Sequence, residues 1–188
     1  MKASDHATLV ELRGAHQGEQ LFILGSGPSL HDLGQGEWAA LRRERTFGLN
    51  YLFQWDRLPF IPDYWAIYEN DIILTVAEAM EADGRLGHIP KFFASETDYN
   101  DGVFYNAPGW TWIYRHPKAQ LVNGAFNGLE ETFEWTGFAG SPALIAVQLG
   151  CWMGFESIYL VGCDNSQVGH CYNLEDERVP VDLSLIHI

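Results

Sequence analysis

The sequence predicts an α/β fold, a mostly parallel sheet with helices on both faces. Three observations point to it. Short apolar runs without polar alternation, such as Leu21-Phe22-Ile23-Leu24 and Ile158-Tyr159-Leu160-Val161, read as buried parallel strands. Helix-forming stretches alternate with these runs. A glycine-rich turn, Gly25-Ser26-Gly27-Pro28-Ser29, follows the first run directly. The 188 residues are enough for one domain with a sizeable core.

Residues 1–18 are polar and mixed, an N-terminal extension that is either loosely held or a short first helix. Gln20–Leu24 is the first strand, and Pro28 suits the first helical position after the turn. Glu37 to Arg45 has helix-forming composition, and a second strand over 46–49 stops at Asn50. The third strand, Tyr64–Tyr68, is entered from Pro62-Asp63. Asp71 caps a helix from Ile72 to Ala82 that ends near Gly84, and 91–94 forms a fourth strand. Residues 96–139 carry many Gly, Asn and aromatics; 110–114 and 132–135 are candidate short strands, with no topology assigned.

The last unit is the clearest. Ser141 is an N-cap, Pro142 occupies N1, and Ala143 to Met153 is a helix closed by Gly154 as a C′ glycine. Ser157–Val161 is then a buried strand with Gly162-Cys163-Asp164 at its carboxyl end. This organisation is Rossmann-like, with a nucleotide-binding domain expected over 19–182. No further helix follows Asp164, so the domain reads as truncated at its C-terminus. Leu183-Ser184-Leu185-Ile186-His187-Ile188 looks like translated adapter sequence, and 183–188 is read as a non-native tail.

A formal net charge of -14 disfavours nucleic acid and anionic membrane surfaces as partners. It is compatible with one small phosphate ligand held by backbone amides. The odd cysteine count (Cys151, Cys163, Cys171), with no secretory leader evident, suits a reducing cytoplasm. Cys163, His170 and Cys171 lack metal-ligand spacing and an evident fourth ligand, so no metal site is expected. No apolar run is long enough to span a bilayer.

In doubly wound sheets, ligands sit beyond the strands' carboxyl ends. The residues to inspect there are Ser26, Asn50, Glu69, Asn70 and Asp164. Gly25 and Gly27 would let the backbone approach a ligand, and free N–H groups at the following helix, that of Ser29 included, would bind phosphate. The turn is not a Walker A loop, lacking its Lys-Ser/Thr pair. Nor is it a full G-x-G-x-x-G, because Leu30 stands in the third glycine's place. Asn50 would hydrogen-bond a base or ribose, or serve only as a left-handed turn residue. Asp164 would orient a ribose, bind a metal-phosphate, or cap the next turn. His170 and Tyr172 are candidate proton-transfer groups.

Taken together, four blocks carry a family resemblance. LFILGSGPSLHDL resembles the opening strand and turn of the bacterial sialyltransferase-like proteins, glycosyltransferase family 42. It is also similar to the related motility accessory factors and archaeal 6-hydroxymethylpterin diphosphokinases. TFGLNYLF, PDYWAIYEND and SPALIAVQLGCWMGFESIYLVGCDNS follow in the family's order. The resemblance spans roughly residues 20–173, with the middle poorly matched.

The resemblance implies that Ser26 stands where the sialyltransferases have a nucleotide-binding asparagine, and that Asn50 matches their second. Ser141 matches a serine that approaches the nucleotide-sugar, with Pro142 replacing the usual glycine. Tyr172 matches one of two tyrosines around the leaving phosphate; Ser166 occupies the other place. His170-Cys171-Tyr172 is similar to the HFY of the accessory-factor branch, and the family's general-base histidine lies further downstream.

The implied activity is metal-independent glycosyl transfer from a CMP-linked sugar to a glycan, such as a cell-surface polysaccharide, or to a small-molecule acceptor. No cofactor is required by it. The sequence has no Asp-x-Asp motif, and Glu69-Asn70-Asp71 is the nearest carboxylate pair. One alternative is a diphosphokinase that needs Mg²⁺ on Asp164 or Glu69. Another is a nucleotide-binding remnant without catalysis. Donor, acceptor and self-association are left open.

Overall fold

The computed structural model describes residues 9–68, 73–95, 110–114, 141–164 and 169–172. Among them, six parallel strands form one sheet: β1 (Gln20–Leu24), β2 (Arg45–Leu49), β3 (Tyr64–Tyr68), β4 (Lys91–Ser95), β5 (Trp110–Tyr114) and β6 (Ser157–Val161). Their spatial order is β5-β4-β3-β2-β1-β6. The α/β class and parallel sheet expected from the unalternated apolar runs are therefore present.

Strand periodicity divides the core. Leu21 and Ile23 of β1, with Tyr64, Ala66 and Tyr68 of β3, pack on one face. Leu24, Trp65 and Ile67 point to the other. The first face is covered by α3 (Pro142–Met153), which crosses β1, β2 and β3. This helix is apolar nearly all round, and Ile145 to Gly150, Trp152 and Met153 are buried. Residues 9–12 are helical on the same face; the Trp152 indole N–H donates to the Leu9 carbonyl at 2.5 Å. The second face is covered by α1 (Gln35–Leu41), α2 (Ile73–Ala82) and two 3₁₀ turns, Pro28–Asp32 and Asn50–Gln54.

Several boundaries differ from the sequence expectation. Residues 42–45 were expected to continue a helix, but α1 ends at Leu41 and Arg45 opens β2. Arg45 pairs in register with Leu21, its Nε reaches Glu19 Oε2 at 2.9 Å, and the adjacent Thr46 N–H donates to Asp63 at 2.9 Å. These sheet contacts override local helix propensity. β4 runs one residue further, to Ser95, and 110–114 forms the strand β5 at the sheet's edge. Ser141 occupies the N-cap position of α3 beside Pro142, but its hydroxyl makes no capping bond. Gly154 closes the helix in the left-handed region at φ 87. The Asp71 cap, the candidate strand 132–135 and the tail 183–188 lie outside the described residues.

Candidate functional site

β2 lies on one side of β1 and β6 on the other, so the order of connection reverses at β1. A doubly wound sheet opens its crevice at such a switch, beyond the carboxyl ends of the two strands. The Gly25–Ser29 turn leaves β1 there, and Gly162-Cys163-Asp164 leaves β6 beside it.

The two loops interlock. The Gly25 amide donates to the Val161 carbonyl at 2.8 Å, and the Gly27 amide to the Gly162 carbonyl at 2.7 Å. The Ser29 amide donates to Asp164 Oδ2 at 2.8 Å, while the Ser29 hydroxyl donates to Asp164 Oδ1. A Cβ on Gly25 would strike the Gly162 carbonyl and lie 2.8 Å from the Cys163 sulfur. One on Gly27 would strike the Asp164 carboxylate. Gly162 itself holds φ +67, with Leu30 Cγ at 2.6 Å from where its Cβ would stand. The glycines thus allow the two loops to approach each other, where the sequence suggested an approach to a ligand.

The expected row of free amides is corrected accordingly. The Gly25, Gly27 and Ser29 amides are spent within the chain, and Leu30 N–H donates to the Gly27 carbonyl at 3.2 Å. A five-residue 3₁₀ turn, Pro28–Asp32, replaces the expected helix, and the Asp164 carboxylate occupies the position where an anion was expected. Half-buried N–H groups are cheaper to pair internally than to leave open. Among the described residues, the Ser26 amide alone in 25–30 has no acceptor, apart from Pro28, which has no N–H.

Ser26 is the residue on which the remaining groups converge. Its hydroxyl lies 2.8 Å from His170 Nδ1, and its carbonyl accepts the Cys171 amide at 2.7 Å. His31 Nε2 lies 2.9 Å from the Cys171 carbonyl, fixing the segment from its other side. The His170 ring stacks on Tyr172 with centroids 5.1 Å apart and planes 13° apart. Tyr172 in turn meets Tyr51 edge-on at 6.5 Å. His170 is exposed and Tyr172 half-buried, whereas Cys171 between them is buried. Burial pushes the Cys171 thiol up to about 12 and the Cys163 thiol up to about 11. Neither is a nucleophile near neutral pH.

Asn50 stands at φ 42, the left-handed conformation that Asn tolerates. Its Oδ1 accepts the Tyr68 amide at 3.1 Å and its carbonyl accepts the Trp65 indole N–H at 2.9 Å. Asn50 therefore ties the ends of β2 and β3 together, and its side-chain NH₂ makes no bond among the described residues. Ser141 is not drawn into this network: its carbonyl accepts Leu144 and Ile145 amides at 3.1 and 3.4 Å. Glu69, Asn70 and Ser166 lie outside the described residues.

Sequence reasoning did not single out Tyr51 or His31. Tyr51 follows Asn50 at a strand's carboxyl end and was accessible to the same positional argument. His31 had no local signal, because its partner is 140 positions away.

Among the described residues, no group of three His, Cys, Asp or Glu could hold a metal ion. No described helix is long and apolar enough to cross a membrane. A polar cavity of about 640 Å³ opens at the opposite, amino-terminal end of the strands. Its charges, Arg42, Arg43 and Arg45 against Glu19, Glu44 and Asp63, balance. Comparison of the chain with protein families, curated proteins and solved structures gives no match.

Proposed function

We propose that the protein binds a nucleotide-activated sugar, of the CMP-linked acidic class, at the β1–β6 switch and transfers the sugar to an acceptor without a metal ion. The observation that carries this reading is the convergence of Ser26, His170, Tyr172 and Tyr51 beyond the strands' carboxyl ends. Tyr51 and Tyr172 offer aromatic surface, and the Asn50 NH₂ is a donor for a base or ribose. The Ser26 amide, rather than the whole turn, donates to phosphate. His170 or Tyr172 protonates the departing phosphate as the glycosidic bond forms. The resemblance to metal-independent sialyltransferases supplies the donor class. Both Asp164 oxygens are engaged by Ser29, which favours this reading over Mg²⁺-dependent pyrophosphate transfer.

Calorimetric titration with CMP, CDP, UDP and ATP, each with and without Mg²⁺, tests the proposal. CMP is expected to bind without Mg²⁺ and about tenfold or more tighter than ATP, a difference of about 1.4 kcal/mol. Binding of ATP alone, and only with Mg²⁺, would replace glycosyl transfer by the pyrophosphate reading. Binding of none of the four would overturn both.

A further inference from the structure

We infer that Ser26 is a nucleophile activated by His170, and that the chain accepts acyl groups from small activated carboxylic esters. The inference reads the Ser26–His170 contact for a second chemistry, one that needs no bound nucleotide. A serine hydroxyl sits 2.8 Å from an imidazole nitrogen, within reach for proton transfer. The serine backbone is held on three sides: the Gly25 and Gly27 amides are bonded at 2.8 and 2.7 Å, and the Ser26 carbonyl accepts Cys171 N–H at 2.7 Å. The imidazole is held by stacking on Tyr172. Ser26 is half-buried and His170 exposed, and the contact between them lies at the surface.

The Ser26 amide is unpaired among the described residues, and a nucleophile's own N–H is a recognised oxyanion donor. Ser26 Oγ forms a bond to the ester carbon as His170 Nδ1 takes the hydroxyl proton. The carbonyl electron pair moves onto its oxygen, facing the Ser26 N–H. Collapse breaks the carbon–oxygen bond to the alcohol, which leaves with the proton from His170. Water then attacks the acyl-serine by the same route, releasing the carboxylic acid and restoring the Ser26 hydroxyl. No co-reactant other than water is needed.

The test is treatment of the full chain with a fluorophosphonate probe, which a nucleophilic serine displaces at phosphorus with loss of fluoride. Labelling is read by intact mass and located by peptide mapping. One adduct mapped to Ser26, formed about 100-fold more slowly in His170→Ala, is the expected result. Absence of an adduct on folded wild-type protein overturns the inference, as does an equal rate in His170→Ala. Mapping on the wild-type chain keeps the answer independent of whether any variant folds. Labelling of a chain that fails to bind CMP would leave this inference standing while the nucleotide reading fell.

Discussion

Cys171 is only 1% exposed, and its thiol is pushed up to about 12 because burial penalises the thiolate. In the unfolded chain the same thiol ionises near its ordinary value of 9.0. The group's contribution to stability is therefore complete below about 9 and is lost as pH rises toward about 12. Cys163, pushed up to about 11, and Tyr64, raised by desolvation, act in the same direction. Urea midpoints are thus expected to fall steadily above about pH 9, with a shallower fall in Cys171→Ala. A pH-independent midpoint across that window would contradict the burial of this thiol. Asn50 shows how far one residue can be read. Its chemistry allowed either a ligand contact or a left-handed turn; the structure shows the turn, with both carbonyl oxygens tying β2 to β3 and the NH₂ making no bond among the described residues.

The central device at the element scale is the bond between the turn after β1 and the loop after β6. Asp164 reaches both the amide and the hydroxyl of Ser29, 135 positions earlier in the chain. Asp164→Ala leaves two donors unsatisfied and is expected to cost about 1–3 kcal/mol, measured by urea denaturation. Asp164→Asn, which keeps one acceptor oxygen, should cost less. A loss below about 0.5 kcal/mol in Asp164→Ala would show that the loops are held by something else.

The glycine turn was legible as a turn, since two glycines after an apolar run dictate a tight backbone path. What fills it was not legible, because the filler comes from the far end of the chain. The end of α1 at Leu41 was not legible for a related reason. Helix propensity is local, whereas the partners that draw Arg45 into β2, Leu21 and Glu19, belong to the preceding strand region. The Ser141-Pro142 signature located the start of α3, but the capping bond it suggested is not made.

For the whole molecule, alternating strands and helices made the parallel sheet legible, and the unalternated strands indicated that both faces would be covered. Strand order was not legible. The run 110–114 carries strand character, but nothing in it specifies pairing with β4 at the edge. That order puts the switch at β1, beside the Ser26–His170–Tyr172–Tyr51 cluster. Hydrogen–deuterium exchange of the full chain with and without saturating CMP examines this most directly. Slower exchange is predicted in peptides covering 25–30, 50–52 and 170–172, with little change at 42–45. Protection confined to the balanced cavity at 42–45, or no protection anywhere, would contradict a nucleotide site at the switch.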